Sequence, residues 1–398
     1  MDTTRKAAIV ANIHSVTNKV NSGAMKAFES LKSVKYTVVT VAIIITVIIA
    51  VIVVAVWWYS SKDRKTTSFL KSLYKFRATM FSIDDASTND RPLRHFYVKT
   101  SYNSCCGGDY KNDYVSTETL GMVIGQGYRC LDFEIYSVGG VPVISASSDG
   151  ASTASEQSTG DKYSSATTFN KIPLSDAMKT IVNHGFNEST VTNHADPIFL
   201  NLRINSAKTS TYSAIADILK GYTDKLLDSR FNYNEYTSKG FSVGDLKMKL
   251  LMGKIIIMVT HDSNIDIGNT GLGEFCHIVA DNRTFRGIEV SDINTKETII
   301  EENHNILTIV YPTKGPVGKN YNPMIAIGTG CAMPAVVFQD SGEELDAYNE
   351  FFGQSAFKPK PKELLPPVTE VKVAEVRNIT SSYAADMVVN GPLGGIKI

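Results

Sequence analysis

The sequence predicts an α/β protein, a parallel (β/α)8 barrel preceded by an amphipathic helix and one transmembrane helix. Three observations carry this reading. Short strands alternate with helices from about residue 91 to residue 366, the pattern of a parallel sheet wrapped in helices. The strands have one apolar face and one polar face, as alternation along a pleated strand requires. An uncharged apolar run, Val38–Val56, stands before them.

Residues 1–35 read as an amphipathic helical segment. Ile9, Ile13, Val16, Val20, Ala24, Phe28 and Leu31 recur every three or four residues, with Lys6, Lys19, Lys26 and Lys32 off the stripe. That is one face of a helix. No domain of this segment's own is there to cover it, so the stripe calls for a bilayer surface or a protein partner.

Residues 36–59 read as a transmembrane helix. At about 1.5 Å per residue, Val38–Val56 nearly spans a hydrocarbon core of about 30 Å. Tyr36 stands at one end and Trp57, Trp58 and Tyr59 at the other, the arrangement of interfacial aromatic belts. The competing readings are a buried core helix and a cleaved signal. The run is long for a signal and no small-residue cleavage site follows it. Both flanks are basic, and a slight excess of Lys and Arg after the run favours the cytosol for the barrel. The sequons at Asn187, Asn282 and Asn378 matter only on a lumenal side. Residues 60–90 read as a juxtamembrane linker with a short helix, Ser68–Met80, built on Phe69, Leu70, Leu73 and Phe76.

Within the barrel, "YRCLDFEI" places Leu131, Phe133 and Ile135 on one face and Asp132 and Glu134 on the other. "PIFLNLRI" likewise opposes Ile198, Leu200, Leu202 and Ile204 to Phe199, Asn201 and Arg203. "KIIIMV", "ILTIVYP" and "MPAVVFQ" supply later strands, and stretches such as "LSDAMKTIVNHGF" supply helices. The polar faces point into the barrel mouth, where Asp132, Glu134, Asn201 and Arg203 can meet. Ala146–Thr168 is Ser-, Thr- and Gly-rich and reads as a long loop. The polar, poorly periodic stretch at about 263–302 reads as an inserted connection. "KPKPKELLPP" leaves the domain, and residues 367–398 form a tail, with strand-like alternation at Val371 and Val373.

Composition narrows the function. Lys+Arg and Asp+Glu both number 40, so the basic excess of a nucleic-acid binder is missing. Five scattered cysteines without a CxxC pair argue against a disulfide framework or a zinc site. The seven histidines show no HExxH-like spacing. His261-Asp262 at a strand end and Cys105-Cys106 in the first strand–helix loop are weak catalytic candidates.

Eight stretches in order carry a resemblance. They are "KTSYNSC", "QGYRCLDFEIYSVGG", "PVISASSD", "DPIFLNLRI" and "LLMGKIIIMV", then "IVYPTKGPVGKNYNPM", "GCAMPAVVFQD" and "SAFKPKPKELL". The chain resembles eukaryotic-type phosphoinositide-specific phospholipase C from about Arg91 to Leu365. The X half covers about 91–262 and the Y half about 303–366. The resemblance implies phosphodiester cleavage by two histidines, assisted by calcium that lowers the pKa of the attacking hydroxyl.

It also shows what has changed. The two histidine positions hold Tyr102 and Ser148. The four calcium-ligand positions hold Asn103, Asp132, Glu134 and Arg203. The substrate lysine positions hold Met258 and Thr260, the substrate arginine position holds Ile309, and Tyr311 keeps the inositol-stacking ring. Tyrosine, with an ordinary pKa of about 10, is a poor base at neutral pH. A guanidinium at a ligand position brings positive charge where a dication would sit, so Arg203 is expected to pair with Asp132 or Glu134. The sequence therefore points to a membrane-anchored pseudoenzyme without cofactor, a scaffold contacting proteins through its N-terminal stripe and C-terminal tail. A virion with an internal membrane, as in large DNA viruses, is one assembly that fits. The alternative is a divergent phosphodiesterase or lipid-binding barrel with a rebuilt site, in which Asn103, Asp132 and Glu134 hold calcium and Tyr102 or His261 moves the proton.

Overall fold

The computed structural model describes residues 3–75, 77–83, 86–148, 166–293, 298–367, 388–391 and 394–397. Helix α1, Thr3–Leu73, runs unbroken from the N-terminal segment to the edge of the barrel. The three N-terminal segments distinguished in the sequence are thus one helix. The polar exit Lys62-Asp63-Arg64-Lys65 marks a change of surroundings without a helix breaker, since Lys and Arg are good helix formers. Among the described residues this is the one helix long and apolar enough to cross a membrane. It ends at Leu73, short of Met80, and Phe76 lies outside the described residues.

Eight parallel strands form the barrel. They are β1 (Thr100–Ser101), β2 (Cys130–Val138), β3 (Ile198–Ile204), β4 (Ile255–Thr260), β5 (Ile278–Val279), β6 (Phe285–Glu289), β7 (Leu307–Tyr311) and β8 (Met333–Val336). They lie around the ring in chain order, with β8 pairing back to β1. Among the described residues no hydrogen-bonded pairing joins β5 to β6, so the ring is nearly closed. Helices α2 (Thr117–Gly125), α3 (Leu174–Gly185) and α4 (Thr209–Lys220) follow β1, β2 and β3; α5 (Pro323–Gly328) and α6 (Glu343–Phe352) follow β7 and β8. Each presents an apolar stripe to the sheet, such as Leu120, Val123 and Ile124 on α2.

The stretch 263–302 is not an insertion. It contributes β5 and β6 to the ring. Its periodicity was obscured because β5 has two residues and β6 carries Arg286 and Gly287 at its centre. Arg286 is buried, donating to Thr308 Oγ1 at 3.1 Å and Asn303 Oδ1 at 3.2 Å and pairing with Glu302. Gly287 makes room for Tyr311, for a Cβ there would lie 2.6 Å from the Tyr311 ring.

The strand faces alternate as the pleat demands. Leu131, Phe133 and Ile135 pack in the main core with Leu200 and Leu202. Inward-facing Cys130, Phe199, Met258, Ile309 and Met333 are fully buried and fill the barrel below its mouth. The antiparallel pair Phe96–Val98 with Phe357–Pro359 lies at the opposite, N-terminal end. After β2 the chain turns at Gly139-Gly140, both with positive φ, the two-residue turn that hairpin twist favours. The returning strand Val141–Ser145 pairs antiparallel with β2 and brings Ser147 and Ser148 back to the mouth. Most of the expected loop 146–168 (residues 149–165), with Val371, Val373 and Asn378, lies outside the described residues. The last described residues are a hairpin, Val388–Gly391 with Gly394–Lys397.

Candidate functional site

Register builds the site. Glu134 lies beside Arg203 and Asp132 beside Asn201 on the neighbouring strands β2 and β3, so all four side chains project to one face near the C-terminal ends of the strands. Asn103 follows β1 with φ of 44°, a left-handed conformation that asparagine tolerates better than most residues. Its backbone N–H donates to Asp132 Oδ2 at 3.0 Å.

Arg203 occupies the centre. Its Nε donates to Asp132 Oδ1 at 2.9 Å and its Nη2 to Asp132 Oδ2 at 2.7 Å, a bidentate pair. Nη1 donates to Glu134 Oε1 at 3.0 Å, and Nη2 also reaches Asn103 Oδ1 at 2.7 Å. The guanidinium carbon lies 4.9 Å from the Tyr102 ring centroid and 5.1 Å from that of Tyr311, within cation–π range of both.

The carboxylates are saturated. Besides Arg203, Asp132 accepts from Asn201 Nδ2 at 2.7 Å and from the Asn103 backbone. Glu134 accepts from Asn103 Nδ2 at 3.4 Å, Tyr136 Oη at 2.6 Å and the Ser147 backbone at 3.0 Å. Each of the four carboxylate oxygens therefore accepts two hydrogen bonds, the capacity of its two lone pairs. Asp132 is 0% exposed, Glu134 2% and the Arg203 side chain 12%. Burial alone would lower the Arg203 pKa, but Asp132, Tyr102 and Glu134 together hold it well above its ordinary value.

Calcium does not fit this donor set. A hard cation needs six to eight oxygens at roughly 2.3–2.6 Å, and here every carboxylate lone pair is taken and a fixed positive charge stands between the two acids. Among the described residues no group of three His, Cys, Asp or Glu side chains is placed to hold a metal.

Tyr102 is buried, tilted against Tyr311 at 5.7 Å and edge-on to Tyr110 at 5.6 Å. Burial raises its hydroxyl pKa far above the ordinary range, despite Arg203 pulling the other way. Tyr311 is raised likewise by burial, and its hydroxyl accepts from Asn201 at 2.8 Å. Ser148 is buried at the rim, its N–H donating to Thr167 Oγ1 at 2.9 Å. Met258 and Ile309 are buried inside the barrel, and Thr260 pairs with Arg203 in register. The structure thus gathers Tyr102, Asn103, Asp132, Glu134, Arg203 and Tyr311 into one cluster, with Ser148 at its edge and Met258 and Ile309 below. His261 Nδ1 lies 2.7 Å from the carbonyl of its neighbour Asp262, a local contact outside the cluster. Cys105 and Cys106 are buried free thiols pushed up by burial, the opposite of an activated nucleophile.

Sequence reasoning passed over Tyr110, Tyr136 and Ser147. Tyr136 shares a strand face with Glu134, so strand parity contains that contact. Tyr110 and Ser147 are loop residues that no periodicity marks.

Residues 89–258 match the protein family described as phosphatidylinositol-specific phospholipase C, X domain. Among solved structures, the chain is similar to PLC21 of L. pealei at 16% identity and a TM-score of 0.54, over 70% of this chain and 38% of that one. It is similar to PLC21 of S. officinalis at 15% identity and 0.53, over 70% and 38%. The chain thus spans 38% of the length of these two structures. The curated proteins give no match. The chain thus carries a stretch similar to the phospholipase C X domain and shares a parallel, nearly closed barrel fold with these structures.

Proposed function

We propose that this protein is a membrane-anchored, catalytically inactive phospholipase C-like barrel, a structural component of a membrane-associated assembly. One observation carries the proposal. Arg203 fills the place of a catalytic cation and uses up both carboxylates that would bind one. The chemistry agrees with it. The two positions where the resemblance puts histidines hold Tyr102, a buried phenol with a raised pKa, and Ser148. Neither exchanges protons at neutral pH unaided. Val38–Val56 holds the barrel to the bilayer, with a slight preference for the cytosolic side. The N-terminal stripe and the C-terminal tail are the surfaces offered to protein partners, and an internal-membrane virion is one assembly of this kind.

The second reading, a divergent phosphoinositide phosphodiesterase, draws on the match to the X domain and on Asn103, Asp132 and Glu134 standing together at a barrel mouth. Calorimetric titration of the full chain in detergent with calcium separates the two, run beside Arg203→Glu and beside a phosphatidylinositol hydrolysis assay. The proposal expects a silent wild type, calcium binding only by the variant, and no hydrolysis by the wild type. Calcium binding with hydrolysis by the wild type establishes the second reading instead.

A further inference from the structure

We infer that the mouth of the barrel is seated in the headgroup layer of the bilayer that Val38–Val56 crosses, so that the plugged end of the barrel faces lipid. This rests on the reading of that run as a membrane span.

Because α1 is unbroken, position along it converts to height at about 1.5 Å per residue. Tyr59 lies three residues beyond Val56, about 5 Å past the apolar run. The interfacial layer on each side of a bilayer is about 5–8 Å deep. Tyr59 is where the barrel begins. Its ring meets Phe169 edge-on at 4.7 Å, and its carbonyl accepts from Tyr114 Oη at 3.4 Å. Tyr114 lies in the loop after β1, and Phe169 in the segment after the returning hairpin strand. Both belong to the mouth. Their contact with Tyr59 fixes the rim at headgroup depth.

The next turn clamps this arrangement. Lys62 Nζ donates to the Asn112 carbonyl at 2.9 Å and pairs with Asp113 at 3.4 Å and Asp109 at 3.5 Å. Further along, Leu70 is buried against Gly107. Tyr74 stacks on Phe338 at 4.1 Å and donates to its carbonyl at 2.6 Å. The opposite end is reached last, where the Ala78 N–H donates to the Gly125 carbonyl at the end of α2 and Met80 packs at Gly127. The order of contacts away from the membrane is mouth first, base last. An inverted barrel would reverse that order.

The chemistry of the rim suits the interface. Trp57, Trp58, Arg64 and Lys65 on α1 are exposed, as are Lys111 and Lys171 within three residues of the contact points. Aromatic and basic residues are the ones that settle at headgroup depth.

The chain has two tryptophans, Trp57 and Trp58, which makes fluorescence quenching by lipids brominated near the headgroup a clean reporter. The full chain is reconstituted in phosphatidylcholine vesicles. A second protein carries phenylalanine at both positions and one new tryptophan, by Lys111→Trp at the rim or Phe241→Trp near the base. All four positions are exposed, so folding is not at stake. We expect the native tryptophans and Lys111→Trp to lose fluorescence to the bromolipid, while Phe241→Trp keeps it. Unquenched native tryptophans would overturn the span itself. Quenched native tryptophans with an unquenched Lys111→Trp would leave the span and overturn the seating, and quenching of Phe241→Trp alone would mean an inverted barrel.

Discussion

Replacing Arg203 by methionine removes a charge but keeps most of the volume. It leaves Asp132, 0% exposed, and Glu134, 2% exposed, without a counter-charge. The four hydrogen bonds that Arg203 donates are lost together. The intact cluster need not be a large net stabiliser, since desolvation offsets much of its Coulombic gain. Removing one partner is different, because the uncompensated charges stay buried, at a cost of about 3–5 kcal/mol. Against a total stability of about 5–15 kcal/mol this is a large share. Urea unfolding of the full chain in detergent micelles, followed by circular dichroism, reads it as a lower midpoint at unchanged slope. Two controls locate the cause. Acidification should shrink the deficit, because protons neutralise the stranded carboxylates, and Asp132→Asn added to Arg203→Met should recover part of it. Arg203→Lys should fall between, since an ammonium keeps the charge but loses the fork. A loss below about 1 kcal/mol that does not change with pH would refute the reasoning, because that is the scale of an exposed ion pair.

Three further outcomes are expected. Burial raises the Asp196 pKa from 3.8 to about 6 and lowers that of His277 from 6.5 to about 4. Asp196 therefore binds more protons folded than unfolded and its stabilisation is lost as pH rises from about 4 to 6, whereas that of His277 is lost as pH falls from about 6.5 to 4; Asp196→Asn should steepen the rise of stability with pH in that window, as read from unfolding midpoints. Gly287→Ala puts a Cβ 2.6 Å from the Tyr311 ring, so it should cost about 1–3 kcal/mol by overpacking and perturb the near-ultraviolet circular dichroism of the tyrosine cluster. Tyr102→His combined with Ser148→His should yield no phosphatidylinositol hydrolysis while Arg203 remains, measured as release of the water-soluble headgroup; turnover by that double variant would show that the plug is no obstacle to catalysis.

The parts legible in the sequence are those with local periodicity. The opposition of Leu131, Phe133 and Ile135 to Asp132 and Glu134 is a period-two pattern, and it places both acids inward together. The same parity on β3 brings Arg203 to them. What stayed hidden depends on partners distant in sequence. A buried arginine in β6 reads as a loop residue until Glu302, Asn303 and Thr308 are seen around it. A central glycine in the same strand reads as a breaker until the ring of Tyr311 is seen filling its place. Two-residue strands such as β5 are too short to display any period. The unbroken α1 was divided for a related reason, because charge marked where its surroundings change and not where its hydrogen bonding stops.

The composition of the plug matches a guanidinium and not a metal ion. A guanidinium is planar, and its edge and faces ask for different partners. At Arg203 the edge meets Asp132, Glu134 and Asn103, and the rings of Tyr102 and Tyr311 stand within cation–π distance of the guanidinium carbon. The two sets do not compete, so one side chain satisfies both. A divalent cation makes a different demand, a shell of oxygens on all sides, and an aromatic ring face supplies none. Tyr102 therefore does more than stand where the resemblance would place a histidine. With Tyr311 it completes the aromatic surroundings of the arginine, and taking out Arg203 alone would leave a cavity that two aromatic rings still line. Full affinity for calcium should then require Tyr102 to change together with Arg203, and calorimetric titration with calcium, which does not depend on the ring as a reporter, should give signals that strengthen from Arg203→Glu to Arg203→Glu with Tyr102→Asn. Equal signals from the two variants would mean that the ring is a bystander.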